Sequence, residues 1–534
     1  MKHVLLSVLL LIGLGAWAQP TAWTYALPAT APAGVAAVAA DAAGNTYVTG
    51  SFVGGTAQLG GTTISSSLPG RCLYIAKLSP QGQVVRVTKL EGAEEGSNTT
   101  GIAVDRDGNT YVSGRLHGTI TYAGGSTAGA IADGGGYSVL LVKCGANGRV
   151  RWVKQAHGSQ GTPYGASHGT GVAVDRAGNS YLSGDVTGGS VVADNIALGG
   201  HRRDGFLASY DRNGQVRWAK ALTAVLSSFP TSWALGVAVD DAGHCYLSGH
   251  SNGGWRLDGL TVLLNGDADY LALFDSGTGQ VQWGKRVPNL NYGGAIAIDK
   301  QGDACIGGDF VGTADFGQGV TLTSTTPTGY VARYDATGDV DWATAVCTSV
   351  KGVVVDQQSR KVFVTGSAGP QAYLARLNAN GRVQQQELVG GPGASGGSGI
   401  AIDGDNNVYT AGSFTGSCHF GALTRSNAAT QGYLARYGDR QRGRSSHHDD
   451  GFRTPALNLF PNPAHNQLTL RLDNQAPAGQ ATLYDHLGTP VASRAIQPAA
   501  ADIQFDTSAL PDGLYVLRVA AQGKTTTQLV TVQH

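Results

Sequence analysis

The side chains best suited to chemistry gather in the connections between repeated segments of this 534-residue chain. Glu91, Glu94 and Glu95 stand close together, and His157, Tyr164 and His168 share a second stretch. Phe229, Trp233 and Tyr292 lie just before later apolar segments. Carboxylates so placed bind cations or act as paired acid and base. Imidazoles exchange protons near neutral pH. Aromatic rings offer flat apolar faces on which sugar rings can stack. Trp233 and Tyr292 equally suit the filling of gaps between repeats. Neither a His-Glu-x-x-His zinc motif nor a complete Gly-x-x-x-x-Gly-Lys-Ser/Thr phosphate loop occurs. Glutamate is scarce before residue 439, which weakens a two-carboxylate glycosidase, and the Asp267/Asp269 pair is unspecific. No catalytic residue or metal ligand is assigned. His447-His448-Asp449-Asp450 reads as solvated chain, since adjacent ligands without a scaffold define no site.

The elements that must position these residues come from internal repetition. Gly101-Ile102-Ala103-Val104-Asp105 precedes Gly108-Asn109-Thr110-Tyr111-Val112-Ser113-Gly114, and the pattern returns at Gly171–Asp175 and Gly178–Gly184. Its anchoring aspartates are Asp41, Asp105, Asp175, Asp240, Asp299, Asp356 and Asp403, spaced 47 to 70 residues apart. A constant motif at unequal spacing means a fixed scaffold with variable connections. Each unit predicts four strands: a (Ile-Ala-Val-Asp), b (Tyr-Val-Ser-Gly), c (Tyr-Leu-Ala-Arg-Tyr) and d (Val-x-Trp). The d-strand Trp is Trp152, Trp218, Trp283 or Trp342, with Arg86 and Gln385 as its equivalents elsewhere. Four-stranded units repeated seven times predict an all-β, seven-bladed β-propeller over residues 19–438. The last unit lacks a d strand, and Thr21-Ala22-Trp23-Thr24-Tyr25-Ala26 supplies one, so the N-terminal strand should close blade seven. The length variation falls in the b–c and d–a connections, which share one end of a propeller. Binding residues concentrate on long loops held by a rigid scaffold.

Composition agrees. The chain has 80 glycines, 14% charged residues and equal numbers of acidic and basic side chains. Low charge and abundant glycine suit turn-rich β structure. Zero net charge gives no electrostatic footprint for nucleic acid. Lys2, an apolar Val4–Trp17 run and Ala16-Trp17-Ala18 read as a signal peptide over residues 1–18, leaving no transmembrane segment in the mature chain. The cysteines, Cys72, Cys144, Cys245, Cys305, Cys347 and Cys418, sit at non-equivalent repeat positions without a CxxC pair. Export permits one or two disulfides, with pairing left open. The Asp-x-x-Gly-Asn turns raise calcium as a cofactor, but Asp and Asn stabilise tight turns unaided.

With Asp-x-x-Gly-Asn-x-Tyr-Val-x-Gly as its signature, the repeat region resembles the bacterial seven-bladed propeller family labelled SBBP. The resemblance implies the fold and almost nothing about activity. Repeats five and six depart from it: Cys305 replaces the tyrosine, and Gln357–Lys361 replaces the Gly-Asn turn.

A polar linker, 439–455, leads to residues 456–534, whose alternating segments predict a small immunoglobulin-like β-sandwich. Phe460-Pro461-Asn462-Pro463, Tyr484-Asp485-x-x-Gly488, Gly513-Leu514-Tyr515 and a closing Leu529-Val530 strand follow in order. They resemble the C-terminal sorting domain of the type IX (Por) secretion system. That resemblance implies the type IX machinery as partner and a secreted or cell-surface location. The expected function is non-catalytic binding or adhesion to a polysaccharide or surface protein. The alternatives are a polysaccharide hydrolase or lyase on the loop end and a structural surface-layer component.

Overall fold

The structure is a computed structural model. It describes residues 21–30, 34–123, 128–132, 137–157, 167–187, 190–192, 196–198, 203–225, 231–287, 294–391, 393–421, 423–439, 458–460, 464–471, 478–485, 490–497, 502–511, 513–521 and 524–532. The expected signal segment 1–18, Phe229, and residues 440–455 of the expected linker, with their His-His-Asp-Asp run, lie outside the described residues. The chain divides into two compact units, 1–443 and 444–534.

Unit one is a β-propeller. In repeat 2, strand a is Asn98–Val104, b is Thr110–Leu116, c is Ser138–Cys144 and d is Val150–His157. They hydrogen-bond antiparallel in that order. The a strands are Gly34–Ala40, Asn98–Val104, His168–Val174, Thr231–Val239, Ala295–Ile298, Ser349–Val355 and Ser395–Ile402, and they touch in a closed cycle, last against first. Small and β-branched residues allow that crowding. Together they line an axial channel of about 310 Å³.

The glycine ending the b-strand motif has a steric cause. A Cβ on Gly114 would lie 2.3 Å from the Asn98 carbonyl oxygen, and one on Gly184 2.2 Å from that of His168. Strand a also slips register by one residue at the same place in several repeats, as at Thr99/Gly101 and Gly169/Gly171. The extra residue of this bulge reaches the neighbouring repeat: Thr100 Oγ1 donates to Gly169 O and Thr170 Oγ1 to Ala234 O, both at 2.6 Å.

The ring closes as the last repeat requires. Strand Thr21–Thr30 pairs antiparallel with Leu423–Asp439, the c strand of repeat 7. Register refines the equivalence. Trp218 faces Ser209 one step inside the Tyr210/Val216 pair, and in repeat 7 that place belongs to Tyr25, opposite Arg436, with Trp23 opposite Tyr437.

The b–c connections differ from open loops. In repeats 1 to 4 they fold into hairpin arms that lap onto the d strand of the preceding repeat. Leu59 pairs Ala29, Tyr122 pairs Leu90, Val192 pairs Ala156 and Trp255 pairs Ala224. The preceding d strand would otherwise present unpaired N–H and C=O groups, and the arm satisfies them. Repeat 6 has a tight turn instead, Ala368 pairing Gln371.

All six cysteines are free thiols. Five are buried, and burial pushes the Cys144 and Cys305 thiols up to about 12.

Unit two holds two antiparallel sheets. One orders Asn458–Phe460, Gln467–Arg471 and Asp502–Asp506; the other Pro490–Ile496, Gly479–Tyr484, Gly513–Ala521 and Lys524–Val532. Leu468, Leu470 and Phe505 of the first share a core with Leu483, Leu517 and Val530 of the second.

Candidate functional site

The two ends of the propeller differ in chemistry. At the a–b turn end, each anchoring aspartate folds its own turn. Asp105 Oδ1 accepts the backbone N–H groups of Asp107 and Asn109, at 3.0 and 2.9 Å. Its Oδ2 accepts Asn109 Nδ2 at 2.8 Å and the Tyr111 hydroxyl at 3.1 Å. Asp41, Asp175 and Asp403 repeat the set. The carboxylates face donors, the arrangement of an Asx turn. Tyr111 Oη also lies 3.0 Å from Gly178 O of the next repeat. The d-strand tryptophans tie neighbours together likewise: Trp218 Nε1 donates to Ser276 O and Trp342 Nε1 to Ala379 O. Arg86 does the same work in repeat 1, donating to Ala146 O.

Repeat 5 replaces neutral donors with ions, one of them from repeat 6, whose own Asp356 accepts the N–H groups of Gln358 and Ser359 and the Ser359 hydroxyl. Asp299 Oδ2 accepts Arg333 Nη2 and Arg360 Nε, both at 2.8 Å. Arg360 also pairs with Asp303.

The b–c and d–a end carries the candidate site. It spans repeats 2 to 4. His168 opens strand a of repeat 3, with Arg115 Nη1 at 2.6 Å from Nε2 and Arg203 Nη2 at 2.9 Å from Nδ1. Asp185 is buried; its Oδ2 accepts Arg203 Nε at 2.7 Å, and its Oδ1 lies 3.4 Å from His168 Nδ1. A neutral imidazole accepts on one nitrogen only. In either neutral tautomer one ring nitrogen carries a hydrogen, so one of the two arginines keeps a donor that the ring does not accept.

Aromatic rings flank both guanidinium groups. The Arg115 guanidinium carbon sits 4.5 Å from the Tyr137 ring centroid, and that of Arg203 5.1 Å from Trp233. His117 stacks on Tyr137 at 4.6 Å, and His250 on Trp233 at 5.3 Å. His250 Nδ1 and Asp269 Oδ1 are 2.8 Å apart, both groups buried. Arg115, His117, Tyr137, His168, Arg203 and Trp233 are all half-buried, leaving the surface of the cluster open to solvent. Burial lowers the Arg115 pKa.

Of the residues singled out by sequence, His168 and Trp233 lie inside this cluster. Glu94 and Glu95 are exposed at its edge: Glu94 Oε2 is 3.5 Å from His117 Nδ1, and the Glu95 carbonyl 3.1 Å from the same nitrogen. Glu91 belongs to a d strand instead, its carboxylate taken by Ser67 N and Lys89 Nζ. His157 ends a d strand, paired with Val191, rather than opening a loop. Tyr164 and Tyr292 lie outside the described residues, as do Pro461, Asn462, Pro463 and Gly488 of the sorting motif. Gly513 and Leu514 pair with Val532 and Thr531, and Tyr515 is buried with its hydroxyl donating to Pro511 O at 2.8 Å. Arg115, His117, Tyr137 and Arg203 escaped notice because they flank strands b and c rather than strand a.

Three segments fit the Gly-x-Ser-x-Gly spelling of a nucleophile elbow, Gly165–Gly169, Gly249–Gly253 and Gly393–Gly397. Ser251 lies within a b strand, its hydroxyl placed to donate to Thr231 O or Gly254 O. Ser167 and Ser395 instead stand at the entry of a strands, where no helix follows. The Ser395 hydroxyl donates to Val389 O and accepts Ala372 N.

Comparison with solved structures finds likeness at low identity. Polysaccharide lyase Uly1 is 11% identical, covering 77% of this chain and 90% of its own, with a TM-score of 0.42. A PL25 ulvan lyase is 13% identical, covering 76% and 94%, with a TM-score of 0.42. The β-propeller domain of the Trilobed protease from Pyrococcus furiosus is 8% identical, covering 77% and 98%, at 0.38. No curated protein matches the chain in sequence. Among the described residues no helix is long and apolar enough to cross a membrane. Residues 458–533 match the secretion system C-terminal sorting domain. The C-terminal unit thus marks the chain for the type IX machinery, which exports it to the cell surface or medium.

Proposed function

We propose that the chain is an exported seven-bladed propeller of SBBP type that binds acidic carbohydrate at its loop end, followed by an immunoglobulin-like sorting sandwich. The domain bounds are those expected from sequence, with residues 1–18 removed. One observation carries the binding function: two guanidinium groups, each against an aromatic ring, flank His168 at an open surface. Arginine forks fit carboxylate and sulfate groups. Tyr137 and Trp233 pack against the two guanidinium groups and hold them in place. The turn aspartates serve as turn supports without calcium, since both oxygens already accept donors.

The enzymatic alternative rests on the His250–Asp269 pair behind Trp233, a proton acceptor held in one orientation. One experiment tests both. The purified chain is titrated calorimetrically with uronic-acid, sulfated and neutral polysaccharides, and the same samples are assayed for new chain ends. Binding should favour the acidic polymers, weaken about tenfold in Arg115→Ala, and proceed without cleavage. Equal binding of neutral polymers would remove the acidic-ligand reading, and new chain ends would install the catalytic one.

A further inference from the structure

At the opposite end, between repeats 2 and 3, lies a cavity of about 300 Å³ lined by Asp105, Arg106, Asp107, Lys143, Arg176 and Arg212, among others. Lys143 is 7% exposed. Its ammonium group donates to Arg212 O at 2.8 Å and sits 4.8 Å from the Tyr111 ring centroid. An ammonium carries three donors, so one carbonyl does not saturate it. Burial lowers its pKa, as it should where the charge lacks a full complement of partners.

The repeats provide an internal control. The residue after each anchoring aspartate is Ala42, Arg106, Arg176, Asp241, Lys300, Gln357 or Gly404. The second residue of the c–d turn is Pro80, Ala146, Arg212, Ser276, Ala336 or Ala379. What the scaffold uses at the latter place is a carbonyl: Ala146 O, Arg212 O, Ser276 O, Ala336 O and Ala379 O each accept from the preceding d strand. Alanine therefore suffices for folding. Yet Arg106, Arg176 and Arg212 converge on one junction, over a buried lysine. Of the two carboxylates there, Asp105 is committed to its turn. Arg106 and Arg176 also reach Asp241, at 3.0 and 4.0 Å, but these pairs are exposed and easily exchanged.

We infer that the junction of repeats 2 and 3 is a binding site for a tetrahedral oxyanion, the phosphate or sulfate ester of a small molecule or sugar. The cavity is large enough for the ring that carries it. Guanidinium groups supply paired N–H donors, and the lysine supplies a charge at the floor.

The test is titration of the purified chain with inorganic phosphate and sulfate at constant ionic strength, then with glucose 6-phosphate and glucose 6-sulfate. Saturable binding is expected, weakened about tenfold in Arg212→Ala and in Arg176→Ala. Both variants should keep the wild-type melting temperature, because those side chains are exposed. Lys300→Ala, an exposed side chain at the equivalent turn position of repeat 5 and outside this cavity, should bind these anions as the wild type does. Preference for one ester would identify the group. Binding no stronger than that of matched chloride, or unchanged in Arg212→Ala, would overturn the site.

Discussion

The turn end of the propeller says the same thing repeatedly, and the loop end does not. At the turn end an aspartate, an asparagine and a tyrosine recur with hydrogen bonds that agree within a few tenths of an ångström. At the loop end arms of different length lap onto neighbouring strands, and His168 sits between arginines with no counterpart among the described residues of other repeats. Uniform geometry is the mark of a scaffold that must close a ring. Divergent geometry is where a repeat protein can place a ligand.

The comparison can be broken at its most rigid point. Asp299→Ala removes the counter-charge of Arg333, which is 1% exposed. An uncompensated buried charge should cost about 3–5 kcal/mol, read as a fall in the unfolding midpoint in denaturant. An effect equal to that of Asp105→Ala would show that ionic and neutral turns are interchangeable. Asp105→Ala itself strands the Asn109 amide and two backbone N–H groups, and should cost about 1–3 kcal/mol in the same assay. Tyr111→Phe leaves the turn intact and removes one hydroxyl shared with the next repeat, so about 1 kcal/mol is expected. The smallest effect concerns acid. The Thr278 hydroxyl and N–H hold the Asp275 pKa below its ordinary 3.8. A depressed carboxylate stabilises the fold above its unfolded pKa, and that stability is lost as pH falls through the folded value. Midpoints should be flat from pH 7 to 5 and drop below about pH 4, with Asp275→Asn showing a slightly shallower drop.

What was legible in sequence follows the same division. Strands a to d, the Asp turns and the closing N-terminal strand repeat one pattern, so each copy corroborates the others. The arms carry weak alternation, such as Thr56–Leu59, and become strands only where a neighbour's d strand offers its edge. Trp23 catches the eye, yet register gives the tryptophan position to Tyr25, because hydrogen-bond pairing rather than residue type sets the equivalence. Arg115 and Arg203 are far apart in the chain and meet only when the ring brings repeats 2 and 3 side by side.

The most direct measurement is backbone hydrogen exchange of the purified chain with and without a saturating uronic-acid oligosaccharide. The account predicts slowed exchange around residues 115–118, 137–138, 168–170, 203–205 and 231–234, with the a–b turns unchanged. Protection confined to the turn end, or spread evenly over the repeats, would contradict it.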